Sequence, residues 1–245
     1  MRKIFSILSV FICFLFISAD KPKVCVYMIG DSTMSIKKEN KYPETGWGVK
    51  IASFFNDNIL FENHAQNGRS TVSFRKENRW NPILEKIKPG DWVFIQFGHN
   101  DEPKEGKVGF TPLSEFKANL ERYVTEAREK GANPVLFTPV TRRRFDENSN
   151  YFDTHKQYPG VIRALAKEMN VPLIDMHSMS IKLIVEYGEE ASKSLYLWEE
   201  PGHPNYPEGV KDDTHFCEKG AEEMAKLCVQ AIREQHVELE NYLRP

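Results

Sequence analysis

Ser32 follows the apolar run Val24-Cys25-Val26-Tyr27-Met28-Ile29 through two turn residues, Gly30 and Asp31, and the far end of the chain carries Asp212-Asp213-Thr214-His215. A serine hydroxyl is a poor nucleophile at neutral pH unless an imidazole takes its proton and a carboxylate orients that imidazole. The i, i+3 spacing of Asp212 and His215 in a turn-like segment lets the carboxylate reach the Nδ1 side of the ring, leaving Nε2 for Ser32. Asp213 should project away, solvent-facing or capping. Acyl transfer also needs donors aimed at the developing oxyanion, each worth about 2.7–4 kcal/mol of barrier. Candidates are the backbone N–H of Ser32, that of Gly68, which has no Cβ to keep it at a distance, and the side-chain amide of Asn100. Each piece alone has a plainer reading: a turn or helix cap at Gly30-Asp31-Ser32, a helix start at Asp212–His215, a positive-φ turn at Gly68, an Asx turn at Asn100. Their joint occurrence points to acyl transfer.

The elements that must position these groups read as alternating strands and helices. Strand-like runs are Val24–Ile29, Ile59–Phe61, Asp91–Phe97, Pro134–Val140 and Pro172–Met176. Helical periodicity spans Leu113–Lys130, Val161–Met169 and Glu218–Gln235. Apolar strands separated by helices predict a parallel α/β sheet with helices on both faces. Ligands bind such sheets at the carboxyl ends of the strands. Gly30-Asp31-Ser32, Asn67-Gly68-Arg69 and Gly98-His99-Asn100-Asp101 should therefore meet at one rim, under long loops at about 142–158 and 199–209.

Gly30-Asp31-Ser32, Gly68, Asn100 and Asp212-x-x-His215 resemble, in order, the four sequence blocks of SGNH (GDSL-type) hydrolases. Gly30–Met34, the run Gln96–Asp101, Asp212–Phe216 and Pro204-Asn205-Tyr206-Pro207 are similar to rhamnogalacturonan acetylesterases in particular. Thr33 and Met34 stand where leucine commonly follows the serine, which favours the carbohydrate-esterase branch over lipases. The resemblance implies a three-layer α/β/α sandwich resembling flavodoxin, with Ser32 as nucleophile, His215 as general base and Asp212 as its orienter. Ser32, Gly68 and Asn100 would form the oxyanion hole, and no metal or organic cofactor would be required. The implied substrate is an acetylated pectic polysaccharide. Gripping such a chain suits aromatic platforms and arginines that read uronates, for which Trp47, Trp198, Tyr206, Arg142, Arg143 and Arg144 are candidates. His99 either lines the site or braces the turn. Rival readings are the same machinery acting on acetylated xylan or a short-chain ester, and an inactive carbohydrate-binding protein.

The 245 residues carry 33 Lys+Arg against 35 Asp+Glu, with 40% hydrophobic residues, enough for a sizeable core. Arg2 and Lys3 precede an apolar run from Ile4 to Ala19, which reads as a secretory signal peptide over residues 1–19, leaving 20–245 as one hydrolase domain. Its loss moves the formal charge from −2 to −4 by removing two cations and no acid. A mildly acidic surface offers no electrostatic footprint for nucleic acid. Processing would leave an exported, periplasmic or extracellular protein without a stable membrane tie. Cys25, Cys217 and Cys228 remain, and spacing leaves open whether Cys217 and Cys228 bridge. No cysteine–histidine cluster has zinc-ligand spacing. No phosphate-cradling loop supports a phosphatase or nuclease.

Overall fold

The computed structural model describes residues 23–102 and 109–245. The segment 1–19, read above as a leader, lies outside the described residues. In chain order the regular elements are β1 (Val24–Gly30), α1 (Trp47–Lys50), β2 (Ile59–Asn63), α2 (Thr71–Lys76), α3 (Asn81–Lys86), β3 (Trp92–Gln96) and α4 (Leu113–Glu129). There follow β4 (Asn133–Phe137), α5 (Tyr158–Glu168), β5 (Leu173–Ile174), α6 (Met176–Ser192), β6 (Tyr196–Glu199), β7 (Val210–Phe216) and α7 (Glu218–Glu234). Short 3-10 turns join several of them.

The first five strands form one parallel sheet in the order β2-β1-β3-β4-β5. Successive side chains of a strand point to opposite faces, and here both faces are covered. Val26, Met28, Phe94, Val135 and Phe137 pack with Trp47 of α1, Ile184 of α6 and Ala221, Met224 and Cys228 of α7. Cys25, Tyr27, Ile29, Val93, Ile95 and Leu136 face Phe74, Ile83, Phe116, Leu120, Tyr123 and Ile162 of α2–α5. This is a three-layer α/β/α arrangement, and its double burial explains why β1 and β3 read as continuous apolar runs. Helix α4 buries Phe116, Leu120, Tyr123, Val124 and Ala127, one stripe at helical spacing, before Gly131 turns the chain at φ 75°.

Strand order reverses at β1, which has β2 on one side and β3 on the other. That switch point is where open α/β sheets leave a crevice. Ser32 lies just beyond β1, and His99 and Asn100 just beyond β3.

Some elements differ from the sequence expectation. The run Pro172–Met176 yields only the two-residue β5, because the Asp175 side chain accepts the Ser178 N–H and starts α6 there. Helix α6 itself was not expected: its first turn is Met176-His177-Ser178-Met179, and Gly188 interrupts it at φ 76°. Segment 212–215, expected as a turn, belongs to β7, which pairs antiparallel with β6. Cys217 and Cys228 are not bridged: the first donates to the Ser194 carbonyl and the second is buried against the sheet.

Candidate active site

Ser32 sits on a turn locked by its predecessor. Asp31 is fully buried, and its Oδ1 accepts the backbone N–H of Thr33 (2.9 Å) and the Thr33 hydroxyl (2.7 Å). Its Oδ2 lies 3.2 Å from Nδ1 of His99, a ring that is also buried. Burial pushes the Asp31 carboxyl up, but the His99 contact and the Thr33 donors outweigh it and hold the group at about 2. Burial lowers His99 more than Asp31 raises it, to about 4, so the ring is neutral at ordinary pH. Gln96 adds a third tie: its amide donates to the Thr33 hydroxyl (2.7 Å) and its carbonyl accepts the Trp47 indole N–H (2.6 Å). Gly30 must be small, since a Cβ there would fall 2.6 Å from the backbone carbonyl oxygen of Gln96. His99 thus braces the turn, one of its two expected roles.

The partner strand brings in the other two groups through an irregularity. Tyr196 of β6 faces Phe216, yet the next residue, Leu197, faces Asp212, so residues 213–215 bulge out of the ladder. The bulge places Asp212 and His215 side by side. Asp212 Oδ2 is 2.7 Å from His215 Nδ1, while Oδ1 accepts the backbone N–H groups of Thr214 (2.7 Å) and His215 (3.0 Å). Burial raises the Asp212 carboxyl, but these donors and the neighbouring ring overcome it and leave the group at about 2. His215 Nε2 lies 2.8 Å from Ser32 Oγ across 183 positions of sequence. Serine, imidazole and carboxylate therefore stand in one hydrogen-bonded line.

The backbone N–H groups of Ser32 and Gly68 have no protein acceptor among the described residues. Gly68 adopts φ 75°, with no atom within 4 Å of where a Cβ would stand. Backbone conformation, rather than crowding, requires glycine there. Asn100 donates one amide hydrogen to the Arg69 carbonyl (3.0 Å), which aims its side chain at the loop holding Gly68.

Several residues expected to hold substrate are placed elsewhere. Trp47 is wholly buried against Phe137. Arg142 is buried, pairing with Glu102 (2.9 Å) and donating to Thr154 and to the His99 carbonyl. Arg143 is buried too, donating to Asp213 (2.8 Å), the Glu189 carbonyl and Ser192. Arg144 reaches the other Asp213 oxygen (3.0 Å) but stays partly exposed. Trp198 donates to Asp213 (2.9 Å), with Arg143, Lys193 and Lys211 lying over its ring. Asp213 is thus neither solvent-facing nor a cap. It anchors the bulge that aligns Asp212 with His215, and Arg143, Arg144 and Trp198 hold it. Tyr206 is half-buried and donates to the Lys41 carbonyl (2.9 Å). Asp31, Gln96 and Lys37 were missed as site residues, because no sequence pattern shows which polar side chains a fold will bury together.

The family model described as the GDSL-like lipase/acylhydrolase family matches residues 28–222. The chain belongs to this family. Among its acylhydrolase relatives, the chain is similar to rhamnogalacturonan acetylesterase RhgT of Bacillus subtilis, at 45% identity over 91% of this chain and 95% of that protein. The crystal structure of protein YxiM from Bacillus subtilis superposes with a TM-score of 0.74 at 27% identity, covering 88% of this chain and 57% of that one. Axe2, an acetylxylan esterase from Geobacillus stearothermophilus, shares the acylhydrolase fold with a TM-score of 0.57 at 19% identity, over 87% of this chain and 96% of that one.

Proposed function

We propose that this acylhydrolase removes acetyl groups from pectic rhamnogalacturonan through an acyl-enzyme on Ser32. The observation that carries the proposal is the line from Ser32 Oγ to His215 Nε2 (2.8 Å) and from His215 Nδ1 to Asp212 Oδ2 (2.7 Å). The substrate class rests on the likeness to RhgT over nearly the whole chain.

In the first step Ser32 Oγ attacks the acetyl carbonyl carbon as His215 Nε2 takes the hydroxyl proton, and the Asp212 carboxylate steadies the imidazolium. The carbonyl oxygen becomes an oxyanion that accepts from the N–H groups of Ser32 and Gly68 and the free amide hydrogen of Asn100. The bond from carbon to the sugar oxygen breaks as His215 returns its proton to the leaving alcohol. Water then attacks the acetyl-serine, again giving its proton to His215, and acetate leaves. A groove of about 1050 Å³, lined by Ile36, Lys37, Tyr42, Glu44, Asn205 and Glu218, adjoins the nucleophile turn through Lys37, which bonds the Ser32 carbonyl. Ile36 and Tyr42 are more than half exposed there, which supports a long sugar chain as substrate.

Among the described residues no helix is long and apolar enough to cross a membrane. With the apolar leader of residues 1–19, we read the protein as exported to meet an extracellular polymer. The test is acetate release from acetylated rhamnogalacturonan and acetylated xylan, by the parent and by Ser32→Ala. Release from rhamnogalacturonan that vanishes in Ser32→Ala is expected. Equal release by the two proteins overturns the mechanism, and release from xylan alone overturns the substrate class.

A further inference from the structure

Lys37 lies five residues beyond the nucleophile and its side chain is only 5% exposed. A buried ammonium requires partners for all its hydrogens, and Lys37 has three. Its Nζ donates to the Ser32 carbonyl oxygen (2.6 Å), to Asn67 Oδ1 (2.9 Å) and to Glu44 Oε1 (2.7 Å). Burial pulls the ammonium below the ordinary lysine value, while Glu44 works against that shift. The Ser35 hydroxyl contacts the same pair of acceptors, at 2.6 Å from Asn67 Oδ1 and 3.3 Å from the Ser32 carbonyl. Two side chains therefore bridge the nucleophile turn to the residue immediately before Gly68.

The Gly68 loop needs such a bridge. Its other ties are the Gln66 N–H on the Gly30 carbonyl (3.0 Å), the Arg69 N–H on the Gln66 carbonyl (3.2 Å), the Asn100 amide on the Arg69 carbonyl (3.0 Å) and the solvent-facing Arg69 guanidinium on the Asn67 carbonyl (2.7 Å). Asn67 and Gly68 are both exposed, and nothing packs against Gly68 from the Cβ side. The Gly68 N–H belongs to the peptide that Asn67 begins, so movement of Asn67 carries that donor with it. Donors act only when preorganised around the position the oxyanion will occupy.

We propose that Lys37 is a positioning residue: its ammonium clamps the Ser32 carbonyl to the Asn67 side chain and so fixes the Gly68 N–H relative to the nucleophile. This rests on the Ser32 mechanism proposed above. Misplacement by about 1 Å costs on the order of a hundredfold in rate, so the clamp should show in kcat rather than in KM.

The test is a double-mutant cycle read on a small aryl acetate, which needs the nucleophile and oxyanion donors but no polymer contacts. Lys37→Met would strand the Glu44 carboxylate, so it is made in the Glu44→Gln background as well. Asn67→Ala removes the acceptor from an exposed position and leaves the Lys37 ammonium still paired with Glu44 and the Ser32 carbonyl. In each variant kcat should fall roughly ten- to a hundredfold, with KM little changed, melting above the assay temperature and slower inactivation by an aryl phosphonate. Because both changes open one clamp, the Lys37→Met/Asn67→Ala double variant should be no slower than the slower single one. Rates for Lys37→Met in the Glu44→Gln background and for Asn67→Ala that both stay within about twofold of parent, or losses that multiply, overturn the inference. If Lys37→Met does not fold in either background, Asn67→Ala decides alone. Ser32→Ala in the same assay separates the two claims: loss of activity there beside undiminished Lys37→Met refutes only the clamp.

Discussion

The substitution Asp212→Asn should nearly abolish turnover without unfolding the site. The Oδ1 position accepts two backbone N–H groups, from Thr214 and His215. The oxygen of the introduced amide would therefore keep that place and turn its NH₂ toward His215 Nδ1, 2.7 Å away. A donor facing Nδ1 forces the ring to accept there and to carry its proton on Nε2. The 2.8 Å contact with Ser32 Oγ then joins a hydroxyl to an N–H that cannot take its proton. An orienting carboxylate lost to the wrong tautomer lowers kcat by about 10⁴, or roughly 5 kcal/mol of barrier. The assay is kcat on an aryl acetate at neutral pH, with circular dichroism to show an unchanged fold. A variant that keeps kcat within about tenfold of parent refutes the assignment of Asp212 as orienter.

Three further outcomes follow from the same geometry. Arg143→Met removes a buried partner of Asp213 and should cost about 3–5 kcal/mol, seen as a melting temperature lower by roughly 6–20 °C; a shift under about 2 °C would show that the anchor is unimportant. His99 is held at about 4 in the fold against 6.5 when unfolded, so the unfolded chain binds its proton first. The stability this gives is full above pH 6.5 and lost as pH falls toward 4, by about 3 kcal/mol, while Asp31, held at about 2, adds its own loss only below about 4. Denaturant titrations across that range should show a shallower decline for His99→Gln, and parallel curves would contradict the reading. Asn100→Ala should lower kcat roughly a hundredfold or more with little change in KM, and a pure rise in KM would move Asn100 from oxyanion donor to substrate contact.

The sheet was legible because its strands are buried on both faces, so β1 and β3 stand out as unbroken apolar runs and the residues after them fall on one rim. Ser32, Asp212 and His215, which the structure brings into hydrogen-bonding reach of one another, stood out through their joint occurrence with Gly68 and Asn100 in turn-like segments, not through any one of them alone. The arginine triplet was not legible in the same way. Arg142-Arg143-Arg144 reads as a set of uronate contacts, yet each of the three reaches an acidic side chain, Glu102 for the first and Asp213 for the others. A run of like charges gives no sign of the carboxylates that will meet it, which lie 40 and about 70 positions away. Trp47 failed as a platform for a similar reason: its indole N–H finds the buried Gln96, and an aromatic with a satisfied polar edge belongs to the core. The β6–β7 pair escaped notice because its ladder is interrupted at the residues that carry the chemistry.

The chemistry rests on activation of Ser32 by His215. Treatment with an aryl phosphonate, followed by peptide mapping, tests it most directly. One label per chain is expected, on Ser32, with labelling much slower in His215→Ala and acetate release lost in step with it. Full loss of activity with Ser32 unmodified, or labelling of Ser32 at an equal rate without His215, would contradict it.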